Sequence, residues 1–136
     1  MQRFEFLKKL MALGAGIGML PLQPSRDTQH QKIKIYGNYV RGVVYTDGMI
    51  LMNVMSPGDQ LELVREPKNK YDPCAIALTY SVQKIGYVPA EDNAILSRMM
   101  DIKAGLFKAC IEKIYRDAPS WQAIEFGVYS YSNLNS

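Results

Sequence analysis

Leu61-Glu-Leu-Val-Arg-Glu-Pro-Lys-Asn-Lys-Tyr-Asp-Pro-Cys-Ala-Ile-Ala-Leu-Thr-Tyr80, followed after Ser81-Val-Gln83 by Lys84-Ile-Gly-Tyr-Val-Pro89, is the stretch on which the fold turns. Leu61–Arg65 reads as a short strand that stops at Glu66-Pro67, because proline has no backbone N–H to donate to a ladder. Ala75–Tyr80 and Lys84–Val88 read as two more strands around Ser81-Val-Gln83, and Pro89 closes the second. Ile76, Leu78 and Tyr80 fall on one face at period two and are predicted to supply core. A polar loop, Arg65–Ala75, is left between the first two strands.

Upstream, Lys32–Tyr36 alternates polar with apolar, and Val40–Tyr45 does so more loosely; both are rich in β-branched and aromatic residues and read as strand. Asp47-Gly48 and Ser56-Pro-Gly-Asp59 are turn signals, since Pro presets φ and Gly tolerates positive φ. The apolar run Met49–Met55 between them is read as a strand. Downstream, one helix is predicted, with Pro89 near its first turn, Glu91 and Asp92 at the positive end of its dipole and Gly105 past its end. Its stripe of Ile95, Leu96, Met99 and Met100 is assigned to core. Lys108–Tyr115 and Ala123–Tyr131 return to strand patterns. About seven short strands with one helix give a mainly β (α+β) domain, a barrel or strongly curved sheet capped by the helix.

The 136 residues suffice for one core, and 48% hydrophobic with 21% charged residues is ordinary globular usage. Residues 1–22 have a basic start and a short Gly-rich apolar run, the outline of a Sec-type signal. Arg3-Phe4-Glu5-Phe6-Leu7-Lys8 also resembles a twin-arginine export signal, with Phe4 where the second arginine belongs. Either export with membrane contact, or an amphipathic N-terminal helix on an otherwise cytoplasmic protein, accounts for this segment. Residues 23–31 read as a linker, 32–131 as the domain and 132–136 as a tail.

The formal charge of +3 is a property of residues 1–26. Four of the 16 basic residues and one of the 13 acidic ones lie in residues 1–26, which leaves twelve of each sign in the body. Binding to phosphates must therefore come from a local patch, not a global field. Cys74 and Cys110 form no C-x-x-C pattern, and His30 is the only histidine, so no metal site is predicted and the thiols read as buried and inert. No Gly-rich loop followed by Lys-Ser/Thr is present to cradle a nucleotide. An enzyme is the weakest reading, and no cofactor is expected.

Chemistry is densest in the Arg65–Ala75 loop, which carries Arg65, Lys68 and Lys70, the carboxylates of Glu66 and Asp72, and Asn69 and Tyr71. Loops held on a rigid sheet are the usual place for function. Asn69 and Asp72-Pro73 also favour turns, so a plain polar connection is the competing account. Arg65 reads equally as part of a positive patch with Lys68 and Lys70, or as an ion-pair partner of Glu66 or Asp72 that shapes the loop.

Leu63–Leu78, with its Arg65-Glu-Pro and Asn69-Lys-Tyr-Asp-Pro-Cys-Ala-Ile76, followed by Lys84-Ile-Gly-Tyr-Val-Pro89 and a helix, resembles the HIRAN domain from about Val40 to about Val128. The resemblance implies a small OB-like β-barrel of about six or seven strands with one capping helix. It also implies a nucleic-acid-binding module, because characterised members bind single-stranded DNA, including its 3′ end. Members occur alone or fused to helicase-type ATPases, so a helicase-type or other protein partner is a further implication, and catalysis belongs to the fused part. Tyr71 and Asp72 occupy the positions that meet the sugar and terminal hydroxyl in DNA-binding members. A carboxylate accepts a hydrogen bond from a free hydroxyl and repels a continuing phosphate. Where such members carry aromatic residues before the second motif strand, this chain has Met49-Ile-Leu-Met52, and Tyr45 is the nearest ring. Base stacking then depends on whether Tyr45 reaches the same face as Tyr71. Without it, the alternative is an exported or membrane-associated module, contacting membrane through 1–22, that keeps the fold without DNA binding.

Overall fold

The computed structural model describes residues 30–133. Six strands, β1 (His30–Tyr39), β2 (Gln60–Arg65), β3 (Ile76–Tyr80), β4 (Gln83–Tyr87), β5 (Leu106–Ile114) and β6 (Ile124–Asn133), form one antiparallel sheet. Their order is β1-β6-β5-β2-β3-β4. The readings of the leader and of most of the linker and tail lie outside the described residues.

The decisive stretch folds as its pattern dictates. β2 pairs with β3 from Glu62↔Thr79 to Arg65↔Ile76, and the tight Ser81-Val82 turn, both residues at positive φ, returns the chain as β4. Ile76 and Leu78 are fully buried as predicted, and Tyr80 is half-buried. Ala77 and Thr79 on the opposite face are buried too, so β3 runs through the interior and not along a wetted surface. Phe126, Leu61, Ile85 and Ile111 complete the centre of the core, each worth about 1.5–3 kcal/mol of burial.

The sheet is open, where a barrel was expected. Its two edges meet at one bridge only, Arg41 N to Tyr87 O at 2.9 Å and Tyr87 N to Arg41 O at 2.8 Å. Glycine decides both the contact and its brevity. A Cβ on Gly86, whose φ is 152°, would collide with the Arg41 carbonyl oxygen and with Val40 Cγ1, so only glycine lets the edges approach. Gly42, at φ 74°, then turns the chain away into a 3-10 helix over Val43–Tyr45, and no second rung forms. Val40–Tyr45 is thus not the strand that its composition predicted.

Met49–Met55 is not a strand either. It is a helix, α1 (Gly48–Leu51), that runs on into a turn, with Met52 and Met55 buried. A short apolar run carries no period that separates strand from helix. Gly48 settles it by packing: a Cβ there would lie 2.7 Å from the Ile85 carbonyl oxygen, so the segment lies flat on β4.

The predicted helix exists as α2 (Ala94–Asp101), starting later than Pro89 suggested. Pro89–Asp92 is a turn closed by Asp92 N to Pro89 O at 3.0 Å, and Asn93 is the N-cap. Leu96 is buried and Met99 and Met100 half-buried, but Ile95 is 73% exposed, a correction to the core stripe; Ser97 is buried instead. The inward face is Asn93, Leu96, Ser97 and Met100, spaced i, i+3, i+4 and i+7, and Ile95 falls outside it. Cys74 and Cys110 are free and half-buried, not fully buried as read.

Candidate nucleic-acid interface

The Arg65–Ala75 loop is held by its own side chains. Asn69 Oδ1 accepts the backbone N–H groups of Tyr71 at 2.9 Å and Asp72 at 3.1 Å, and Asp72 Oδ1 accepts that of Cys74 at 2.9 Å. These Asx-type turns are why Asn and Asp stand at those positions. Arg65 clamps the loop ends: Nη1 donates to the Ala75 carbonyl at 2.6 Å and Nη2 to that of Pro73 at 2.9 Å. The same guanidinium grips Asp101, the last residue of α2, at 2.9 and 3.1 Å, and holds that carboxyl below its ordinary range. Its ion-pair partner is therefore Asp101, not Glu66 or Asp72.

Glu66 sits under the loop. Its Oε1 accepts hydrogen bonds from Asn69 Nδ2 at 3.0 Å and the Tyr87 hydroxyl at 2.8 Å, and its Oε2 meets Lys84 Nζ at 2.5 Å. Burial alone would push the Glu66 carboxyl up, but the hydrogen bonds from Lys84, Asn69 and Tyr87 outweigh it and hold it below the ordinary value. This cluster ties the loop to β4.

Beside the loop lies a cleft of about 410 Å³. Four of the residues singled out from sequence line it: Tyr45, Asn69, Tyr71 and Asp72. Tyr45 and Tyr71 are 90% and 94% exposed, so both rings stand free on the same cleft. Arg65, Lys68 and Lys70 do not line it. Arg65 is turned to the loop and α2, and Lys68 and Lys70 point to solvent, Lys68 beside a separate shallow depression over Glu66 and Pro67.

Three lining residues with polar side chains escaped the sequence reading: Arg41, Tyr87 and Asn93. Arg41 brings the cleft's cation and pairs with Glu91 at 2.6 Å across an exposed surface. Asn93 is 2% exposed and donates from Nδ2 to Asp72 Oδ2 at 2.7 Å. Its place before Ala94-Ile-Leu96 is an N-cap signal legible in the sequence. Tyr87 belongs to the Gly-Tyr-Val-Pro motif but carried no assigned role. Asp72 thus has one hydrogen bond on each oxygen, and a carboxylate's remaining lone pairs are free to accept from a ligand. Among the described residues no group of three His, Cys, Asp or Glu side chains is arranged to hold a metal.

A family model for the HIRAN domain matches residues 33–132. The chain belongs to the HIRAN domain family. Two solved structures share the HIRAN fold: the HIRAN domain of human HLTF, 18% identical with a TM-score of 0.61, and a protein from Lactobacillus plantarum, 21% identical with a TM-score of 0.65. Each alignment covers 76% of this chain, and respectively 81% and 98% of the other. At these identities the likeness is one of fold. No curated protein matches the chain. HIRAN domains are nucleic-acid-binding modules and are not themselves catalytic.

Proposed function

We propose that this HIRAN domain binds a single-stranded nucleic acid, preferring a free 3′ end, in the cleft beside the Arg65–Ala75 loop. The observation that carries the reading is the placement of two exposed tyrosine rings, Tyr45 and Tyr71, on one cleft with the Asp72 carboxylate. Tyrosine faces stack on bases without regard to sequence. Arg41 supplies the cation for a phosphate, in place of the loop basic residues that lie off the cleft. Asp72 accepts a hydrogen bond from a terminal hydroxyl and repels a terminal or continuing phosphate, which makes an end preferable to an internal nucleotide.

Fluorescence titration with a short labelled strand ending in a 3′ hydroxyl, and with the same strand ending in a 3′ phosphate, tests this. Tighter binding of the hydroxyl end is expected. Equal binding of the two ends sinks the end preference, and no binding of either sinks the nucleic-acid reading of the cleft.

A further inference from the structure

A second feature lies away from the cleft, on the face of the sheet shared by β1, β6 and β5. Lys32 of β1 is in register with Tyr131 of β6, and Lys108 of β5 with Tyr129. The ammonium groups do not sit over those neighbours. Lys32 Nζ lies 4.1 Å from the centre of the Tyr129 ring, and Lys108 Nζ lies 5.2 Å from that of Tyr131. The two lysines therefore cross β6 on opposite diagonals, each held over a ring by cation–π attraction. Both line one groove of about 180 Å³ with Tyr129, Tyr131, Cys110 and Gln60.

One carboxylate reaches this groove through a ring that lines it. The Glu112 carboxylate accepts a hydrogen bond from the Tyr129 hydroxyl, pairs with Lys34 at 3.3 Å and feels the charge of Lys32. Gly127 makes room for that arrangement, since a Cβ there would collide with the Glu112 carboxylate. Among the described residues neither Lys32 nor Lys108 has an ion-pair partner. In a body with equal numbers of basic and acidic residues, two ammonium groups without ion-pair partners on one groove offer local positive charge to an anion.

We infer that the Lys32–Lys108 groove is a second nucleic-acid contact, one that takes the phosphodiester backbone of a strand without reading its bases or its end. A positively charged groove is what tracks the backbone of a single strand, and with the ring faces taken by the lysines it does so here without base stacking. An ammonium group has three N–H donors, so one held over a ring keeps donors that point away from the ring face and can meet an anion.

The test is the salt dependence of oligonucleotide binding by the full chain, using a strand whose 3′ end is phosphorylated. Each phosphate contact on a single strand contributes roughly 0.7 to the slope of log affinity against log salt, so Lys32→Gln with Lys108→Gln lowers the slope by about 1.4. Arg98→Gln with Lys103→Gln removes two charges elsewhere and serves as the matched control. A drop confined to the Lys32/Lys108 pair supports the inference. An unchanged slope, or the same drop in the control, overturns it. Equal binding of hydroxyl and phosphate ends would overturn end recognition at the cleft while leaving this slope difference in place, so the two readings fail separately.

Discussion

Asn93 stands at the N-cap of α2 and makes no side-chain hydrogen bond to that helix; its amide donates instead to Asp72, 21 positions away, at 2.7 Å. A residue chosen by preference for a helix start is thus diverted to hold the loop carboxylate. Asp72 keeps one oxygen on its own loop, at the Cys74 N–H, and the other on the buried end of α2.

Asn93→Ala therefore strips a buried partner from Asp72, and a loss of about 1–3 kcal/mol in urea unfolding is expected. Asn93→Ser separates this from capping. Serine is a good N-cap but too short to replace the amide, so the serine variant should recover at most part of the loss. Full recovery with serine would show that the helix end, not the Asp72 contact, needs residue 93.

Gly86 is where the sheet edges meet. Gly86→Ala should lower stability by at least about 3 kcal/mol, because the new methyl strikes the Arg41 carbonyl and Val40 in a backbone conformation that L residues rarely adopt. Gly58 is the comparison: at φ 92° with open space around it, Gly58→Ala carries conformational strain of about 1–2 kcal/mol and nothing more. Equal losses in the two variants would dismiss the close approach as the cause.

Tyr45→Ala and Tyr71→Ala should each leave stability within about 0.5 kcal/mol of the parent, since both rings are exposed. Their effect belongs to binding, where removal of a stacking ring weakens single-strand affinity by about 1–3 kcal/mol. Arg65→Ala should do the reverse in emphasis, loosening the loop and the end of α2 before it touches any ligand. Paired melting and titration curves separate the three.

Stability should decline at both ends of the pH range. Glu66 has a folded pKa below its ordinary 4.5, so the unfolded chain binds the extra proton and stability falls as the pH drops through that window. Glu66→Gln should flatten the acid limb. Burial, with a hydrogen bond to Asp92, pushes the Tyr36 hydroxyl up to about 12, so its contribution is intact below pH 10 and is lost as the pH rises from 10 towards 12. Tyr36→Phe should flatten the alkaline limb, and pH-dependent urea midpoints read both.

What the sequence by itself determined is local. Proline at 67 and 89, the turn chemistry of Asn69 and Asp72, and period-two patterns in β2 and β3 all act within a few residues, so the Leu61–Pro89 unit and its polar loop were legible from the chain alone. So was family membership, carried by the same two motifs. The conformation of Met49–Met55 was not, because an apolar run of that length suits a strand or a helix, and the surface of β4 beneath Gly48 made the choice. Contacts between distant segments were hidden for the same reason: the Arg41–Tyr87 bridge, the Arg65–Asp101 pair and the Asn93–Asp72 hydrogen bond each join residues at least 21 positions apart. Tertiary packing alone brought Tyr45 and Tyr71 to one cleft, and it turned Arg65 away from that cleft to serve the fold. Charge and ring chemistry can be listed from a sequence, but which groups face each other depends on how the sheet curves, and Gly86 permits the one bridge at which its edges meet.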